Sequence, residues 1–192
     1  YFNGILVIGG PHITLVGKDF FDKDNNGIFD YGFVSEAEKS FSEFCDKLSS
    51  AADVKNVAGL IYWNYNQWQI NKIEYNVNLD EINFPDFSKF IGIDLSGIDY
   101  PLLTSRGCPY QCIYCSVSKI SGSKWRYRSP ENIISELKEA KGLYNTKRFV
   151  ILDDNFTLNK ARVIDFCNIF IKERLNLGWG CPNGLRADSL DE

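Results

Sequence analysis

Apolar positions along this chain fall into short runs separated by turn residues. Ile5-Leu-Val-Ile8 is continuous and closes on Gly9-Gly10-Pro11, as a buried strand of a parallel sheet would. A loop is expected next, followed by a second short strand over Phe29 to Val34. Ser35-Glu-Ala-Glu38 has the spacing of a capping box. Ala37, Phe41, Phe44, Cys45 and Leu48 then share one face of a predicted helix. Val57 to Trp63 and Trp68 to Tyr75 are rich in aromatic and β-branched residues and predict a hairpin about Asn64-Tyr-Asn66. Asn76 to Asp99, containing Asn83-Phe-Pro-Asp86, has little periodicity and reads as a linker.

From Pro101 the pattern changes. A strand (Pro101 to Ser105) leads into a cysteine-bearing loop, then a helix (Pro130 to Lys141), a strand (Arg148 to Leu152), a helix (Asn159 to Glu173) and a strand (Leu177 to Leu185). Ser129 as N-cap with Pro130 behind it starts the first of those helices, and Ile133, Ile134, Leu137 and Ala140 form its buried face. Alternating strands and helices imply an α/β chain built on a parallel sheet or barrel. Its expected organisation is a domain over 1–78, a linker over 79–99 and a second domain over 100–192.

At 192 residues and 44% hydrophobic, the chain can bury one large core or two small ones. A net charge of -4 gives no argument for nucleic acid or an anionic membrane. The apolar runs are too short to span a bilayer, and no signal peptide precedes them. Six cysteines, three of them within eight residues, suggest a metal site in a reducing compartment, so a cytoplasmic location is expected. The chain opens on Tyr1, has no methionine, and runs on through Leu185 to Glu192 without a terminating signal. Both ends are therefore expected to lie within domains.

The three clustered cysteines are Cys108, Cys112 and Cys115, in Arg106-Gly-Cys-Pro-Tyr-Gln-Cys-Ile-Tyr-Cys-Ser116. With three thiolates, a cubane iron-sulfur cluster can be held by three irons while the fourth stays open. The same spacing would suit three small hydrophobes on a helix face. At this chain's own cysteine frequency such a triplet is expected by chance only about 0.005 times. A structural zinc site needs a fourth ligand, for which Cys181 could fold back. A ferredoxin-like carrier needs a fourth cysteine at a spacing this chain lacks.

Between Tyr100 and Pro130 stand Arg106, Lys119, Lys124, Arg126 and Arg128 and no acid. They are read either as cationic surroundings for a thiolate-bound cluster or as a solvated basic loop. Cys45 and Cys167 look like core thiols. His12, the single histidine, reads as a loop contact rather than a metal ligand. Asp22-Lys-Asp-Asn-Asn-Gly-Ile-Phe-Asp30 imitates the start of a calcium loop, but Phe33 occupies its twelfth position, which favours a surface loop.

The run Gly107 to Ser116 resembles the cluster motif of the radical S-adenosylmethionine enzymes, in which CxxxCxxC with an aromatic residue before the last cysteine follows the first strand of a β/α barrel. Arg126-Tyr-Arg-Ser-Pro-Glu131, Leu152-Asp-Asp-Asn-Phe-Thr157, Gly9-Gly10-Pro-His-Ile-Thr14, Ser35-Glu-Ala-Glu38 and Asn83-Phe-Pro-Asp-Phe87 are similar to the subgroup with an N-terminal cobalamin-binding domain. The fold this implies is α/β: a partial Rossmann-like cobalamin-binding domain followed by a partial radical S-adenosylmethionine (β/α) barrel.

The implied cofactors are a 4Fe-4S cluster on Cys108, Cys112 and Cys115, S-adenosylmethionine, and cobalamin in the full-length parent. Tyr114 would flank the adenine pocket, although a core aromatic would look the same in sequence. Asp153 and Asp154 would meet the methionine ammonium, or else Asp154 or Asn155 would cap a helix. Gly9 and Gly10 would line the cobalamin tail, or form a plain turn. The DxHxxG segment that supplies the cobalt ligand is absent, and the resemblance places it before Tyr1. Arg186 would reach a carboxylate or lie on the surface.

The implied activity is reductive cleavage of S-adenosylmethionine to a 5'-deoxyadenosyl radical, for cobalamin-linked methyl transfer or a related modification. Implied partners are a small-molecule or unknown substrate and an electron donor such as flavodoxin or ferredoxin, without nucleic acid or membrane. Two alternatives stand beside it: a non-catalytic zinc module, and a radical enzyme whose N-terminal domain does not bind cobalamin.

Overall fold

A computed structural model of the chain describes residues 3–24, 27–92 and 97–186. They separate into two compact units. One comprises Tyr1–Val77 with Pro109–Ser123, and the other Asn78–Cys108 with Lys124–Glu192.

In the first unit, strand β1 (Val7–Ile8) pairs in parallel with β2 (Tyr31–Phe33), with Val7 opposite Tyr31 and Ile8 opposite Gly32. Antiparallel strands β3 (Leu60–Asn64) and β4 (Gln67–Ile70) complete a sheet of order β1-β2-β3-β4. The hairpin turn is the two residues Tyr65 and Asn66, with φ of 48° and 59°. Two left-handed residues give a turn whose twist matches the strands it joins.

The stretch expected to be a loop after β1 instead holds two short helices, α1 (Pro11–Val16) and α2 (Lys18–Lys23). Pro11 presets the first turn, the Thr14 hydroxyl donates to the Gly10 carbonyl at 2.9 Å, and Gly17 at φ 59° breaks one helix from the next. Ile13 and Phe21 are buried. Phe21 fits because Gly32 has no side chain: a Cβ there would stand 2.7 Å from the Phe21 ring.

Helix α3 (Glu38–Ser49) starts later than the capping box implies, and no side chain caps it. Ser35 sits at φ 63°, so its hydroxyl donates to the Ile120 carbonyl at 3.0 Å. Glu36 and Glu38 accept bonds from Asn76. Of the expected apolar face, Phe44 is buried whereas Phe41 and Cys45 are exposed, so Cys45 is not a core thiol. Helix α4 (Val117–Ile120) closes this unit's elements.

The second unit contains a parallel sheet of order β5-β8-β9: β5 (Tyr100–Leu102), β8 (Arg148–Ile151) and β9 (Gly178–Gly180). Between β5 and β8 lie β6 (Ser105–Arg106), its antiparallel partner β7 (Arg126–Tyr127) and helix α5 (Pro130–Tyr144). Helix α6 (Lys160–Lys172) joins β8 to β9. This repeating strand-helix order is that of a partial β/α barrel.

The Ser129 hydroxyl accepts the Asn132 amide, and Asn145 ends α5 in the left-handed conformation. Ile133, Ile134, Leu137 and Ala140 are buried against Phe149, Ile151 and Phe166. The strand expected over Leu177 to Leu185 is only three residues long.

The segment that reads as a linker is packed rather than free. Leu79 is buried, Asp80 accepts the Ser129 amide at 2.9 Å, and the Phe87 ring lies edge-on to Tyr100 at 5.7 Å. Residues 93–96 of it lie outside those described.

On the buried face of α5, Glu136 is 2% exposed. It accepts the Tyr100 hydroxyl at 2.7 Å and pairs with the Arg128 guanidinium. Burial first, and then the Glu136 charge, push the Tyr100 hydroxyl far above its ordinary range. Arg128 also donates to the Leu103 carbonyl at 3.0 Å and to Asn132 Oδ1 at 2.7 Å. Removing one member of such a pair leaves a buried charge uncompensated. Glu136→Leu is therefore expected to cost about 3–5 kcal/mol. The check is a lowered urea midpoint with little change in the denaturant slope.

Candidate cofactor site

The cysteine run follows β6, a few residues past the end of β5. Pairing of Leu102 with Ile151, extended by the Leu152 amide donating to the Leu102 carbonyl at 2.8 Å, sets Thr104 beside Asp153. Asp153 is 2% exposed and accepts three bonds. The Thr104 amide donates to Oδ1 at 2.6 Å, while the Thr104 and Ser105 hydroxyls donate to Oδ2 at 2.5 and 2.6 Å. Two residues on, Gly107 turns the chain at φ 82°, a conformation L side chains resist. Cys108 follows directly.

Cys108 is half-buried, Cys112 and Cys115 are exposed, and all three are free of disulfides. The Cys115 amide donates to the Cys112 carbonyl at 3.0 Å, a turn that leaves both thiols accessible. Three soft donors of this kind suit an iron-sulfur cluster. Among the described residues no three or more His, Cys, Asp or Glu side chains are gathered to hold a metal ion. Asn25 and Asn26 of the calcium-like run lie outside the described residues, and Asp30 accepts the Leu6 amide at 2.8 Å.

Tyr114 is 89% exposed, which removes the core-aromatic reading. Asp154 is exposed beside buried Asp153, and its carboxyl is shifted upward by partial desolvation and then by the Asp153 charge. Asn155 makes no capping bond, and α6 is capped by Asn159.

Gly9 and Gly10 are exposed at the carboxyl end of β1. Gly10 has φ 94°, and a Cβ there would meet nothing within 4 Å. Gly10 is open and required by its φ, whereas a Cβ on Gly9 would already touch the Phe33 carbonyl oxygen at 3.6 Å. His12 lies exposed on α1 rather than in a loop, edge-on to Phe20 with centroids 6.2 Å apart. Arg186 is exposed, well past the end of β9.

The basic stretch is partly a buried network. Arg126 and Arg128 are buried while Lys119 and Lys124 are exposed. Arg162, unremarked in the sequence, is 4% exposed in the same unit. Its Nε donates to the Arg128 carbonyl at 3.1 Å and its Nη2 to the Thr104 carbonyl at 2.9 Å. Its guanidinium carbon lies 5.4 Å from the centre of the Tyr127 ring and 5.7 Å from that of Trp125. Its hydrogen-bond partners lie 34 and 58 residues away along the chain, so no local signal marks it.

Parallel strands alternating with helices, with the cysteine run after β5 and Asp153 and Asp154 after β8, define an α/β protein. Residues 102–191 match the model of the Radical SAM superfamily. That stretch is a Radical SAM domain.

An uncharacterized methyltransferase of Pyrococcus horikoshii is 33% identical over 99% of this chain and 41% of its own length. The cytidylyl-2-hydroxyethylphosphonate methyltransferase of Streptomyces wedmorensis is 24% identical over 98% of this chain and 41% of its own length. The cobalamin-dependent S-adenosylmethionine radical enzyme OxsB has the same fold, with a TM-score of 0.71 at 23% identity. That match covers 91% of this chain and 25% of OxsB. The chain thus spans about two fifths of the curated relatives' length. Among the described residues no helix is long and apolar enough to cross a membrane.

Cys181 packs against the core of the second unit. Burial, and then the Asp153 charge, push its thiol up from 9.0 to about 11. It is therefore a neutral thiol near pH 8. Its alkylation at pH 8 is expected to lag an ordinary thiol by about a hundredfold, which peptide mapping after timed iodoacetamide exposure will check. Because the folded state holds this proton more tightly, the stability it contributes is complete below pH 9.0 and is lost as pH rises toward about 11.

Proposed function

We propose that this chain is the cofactor-bearing part of a cobalamin-linked radical S-adenosylmethionine enzyme that transfers a methyl group or carries out a related radical modification. The observation that carries the reading is the free CxxxCxxC set on an accessible loop, entered from the carboxyl end of a parallel strand. Cys108, Cys112 and Cys115 hold a 4Fe-4S cluster, leaving one iron for the amino and carboxylate groups of S-adenosylmethionine. When bound and reduced, the cluster supplies the electron that cleaves S-adenosylmethionine to methionine and a 5'-deoxyadenosyl radical.

The chain's own residues bind and orient. Asp154, exposed at the end of β8, accepts the methionine ammonium, and Tyr114 lies against the adenine. Gly9 and Gly10 offer backbone to the cobalamin tail in the longer protein. The substrate is a small molecule, in keeping with the cytidylyl-2-hydroxyethylphosphonate in the name of one relative. Exposure of the cysteine loop suits access by an electron donor such as flavodoxin or ferredoxin.

Anaerobic reconstitution is expected to load about four iron and four sulfide per chain. Cys112→Ala should lose them while keeping its helical circular dichroism. About one zinc and no sulfide would sink the cluster assignment. In the reconstituted protein, Asp154→Asn is expected to weaken S-adenosylmethionine binding roughly tenfold, the loss of one charge-assisted bond. Equilibrium dialysis with the labelled cofactor measures it.

A further inference from the structure

We propose that Asp153, Thr104 and Arg162 form a clamp that fixes the entry to the cysteine loop, and that Asp153 is a positioning residue rather than a cofactor ligand. The inference rests on the cluster reading above for its consequence, but the clamp itself is a property of the protein without cofactor.

Thr104 is 0% exposed, and each of its polar groups is bound. Its amide and hydroxyl both donate to Asp153, at 2.6 and 2.5 Å. Its carbonyl accepts Arg162 Nη2 at 2.9 Å and the Arg128 amide at 2.9 Å. The Ser105 hydroxyl adds a third donor to Asp153 at 2.6 Å. A carboxylate at the end of β8 and a guanidinium from the first turn of α6 thus hold opposite sides of one residue. That residue stands four positions before Cys108.

Three features point away from ligand binding by Asp153. Both its oxygens are occupied by the protein. It is almost wholly buried, whereas Asp154 beside it is exposed. Its charge also offsets the buried guanidinium: burial pulls the Arg162 group down from its ordinary range and Asp153 opposes that shift. Freeing Asp153 to meet an ammonium would strip the Thr104 amide of its acceptor in a site water does not reach.

Hydrogen exchange followed by mass spectrometry on the full chain without cofactor tests the clamp directly. Thr104→Val keeps the β-branched shape and deletes the hydroxyl. Asp153→Asn keeps the shape and deletes the charge. Each is expected to speed exchange over 105–108 about tenfold while α5 exchanges as before, and Thr104→Ser should restore the original rate. Should Asp153→Asn fail to fold, the Thr104 pair decides the matter alone.

Unchanged exchange over 105–108 in Thr104→Val would overturn the clamp, and so would equal acceleration across the whole unit. After reconstitution, iron release to a chelator should be about tenfold faster in Thr104→Val than in Thr104→Ser. Iron retained as well by Thr104→Val as by the native chain, with exchange accelerated, would overturn the link to the cluster. If the native chain takes up no iron and sulfide, the proposed function falls, and the exchange result still decides the clamp.

Discussion

A carboxylate taken out of water needs donors for both oxygens, and in this protein that requirement is met by the backbone and hydroxyls of two consecutive residues. Asp153 lies at the end of β8, and Thr104 and Ser105 lie just past the end of β5. The parallel register of these strands places the three together. A slip of one residue would turn Asp153 to the other face and leave the Thr104 amide unsatisfied. Strand register, corner geometry and loop entry are therefore one constraint, enforced by the cost of an unpaired buried polar group. Arg162 adds to it from α6, so the helix docked on the sheet also reports to the same residue.

Much of the second unit's framework was legible because its signals are local and redundant. Ser129 caps, Pro130 follows, and four apolar residues at helical spacing all point to α5. The hairpin of the first unit was legible for the same reason, with aromatic strands flanking a tyrosine-asparagine turn. The pair α1 and α2 was not, because each is six residues long. An amphipathic pattern needs more turns than that to declare itself. Ser35-Glu-Ala-Glu38 misled because Ser35 takes a left-handed conformation, which turns its hydroxyl to Ile120. The supposed linker carried its packing residues, Leu79 and Phe87, too far apart for any period to reveal them.

Of the candidate site, the three cysteines stand out by spacing alone, and the fold leaves them free of disulfides. The supporting residues do not stand out, since each depends on a partner distant in sequence. Glu136 falls between apolar positions of α5, and helical spacing does place it on the buried face. Its partners Tyr100 and Arg128 lie 36 and 8 residues away, and only the folded chain shows that the two charges and the hydroxyl meet. Arg128 therefore changes meaning, from a member of a cationic field to the counterion of a buried acid.

Asp153 and Asp154 make the sharpest case, for they are chemically identical neighbours with opposite surroundings. Strand side chains alternate faces, and β8 does so past its formal end: Phe149, Ile151 and Asp153 are buried, Leu152 and Asp154 exposed. Parity alone separates them. The apolar run Phe149 to Leu152 concealed the alternation, because in a parallel sheet both faces are covered and a continuous hydrophobic stretch is normal. Only at the polar residues does the alternation become chemically visible, and there it divides the labour. The inward carboxylate is held by the fold it organises, and the outward one, shifted upward by partial desolvation and then by the Asp153 charge, faces solvent.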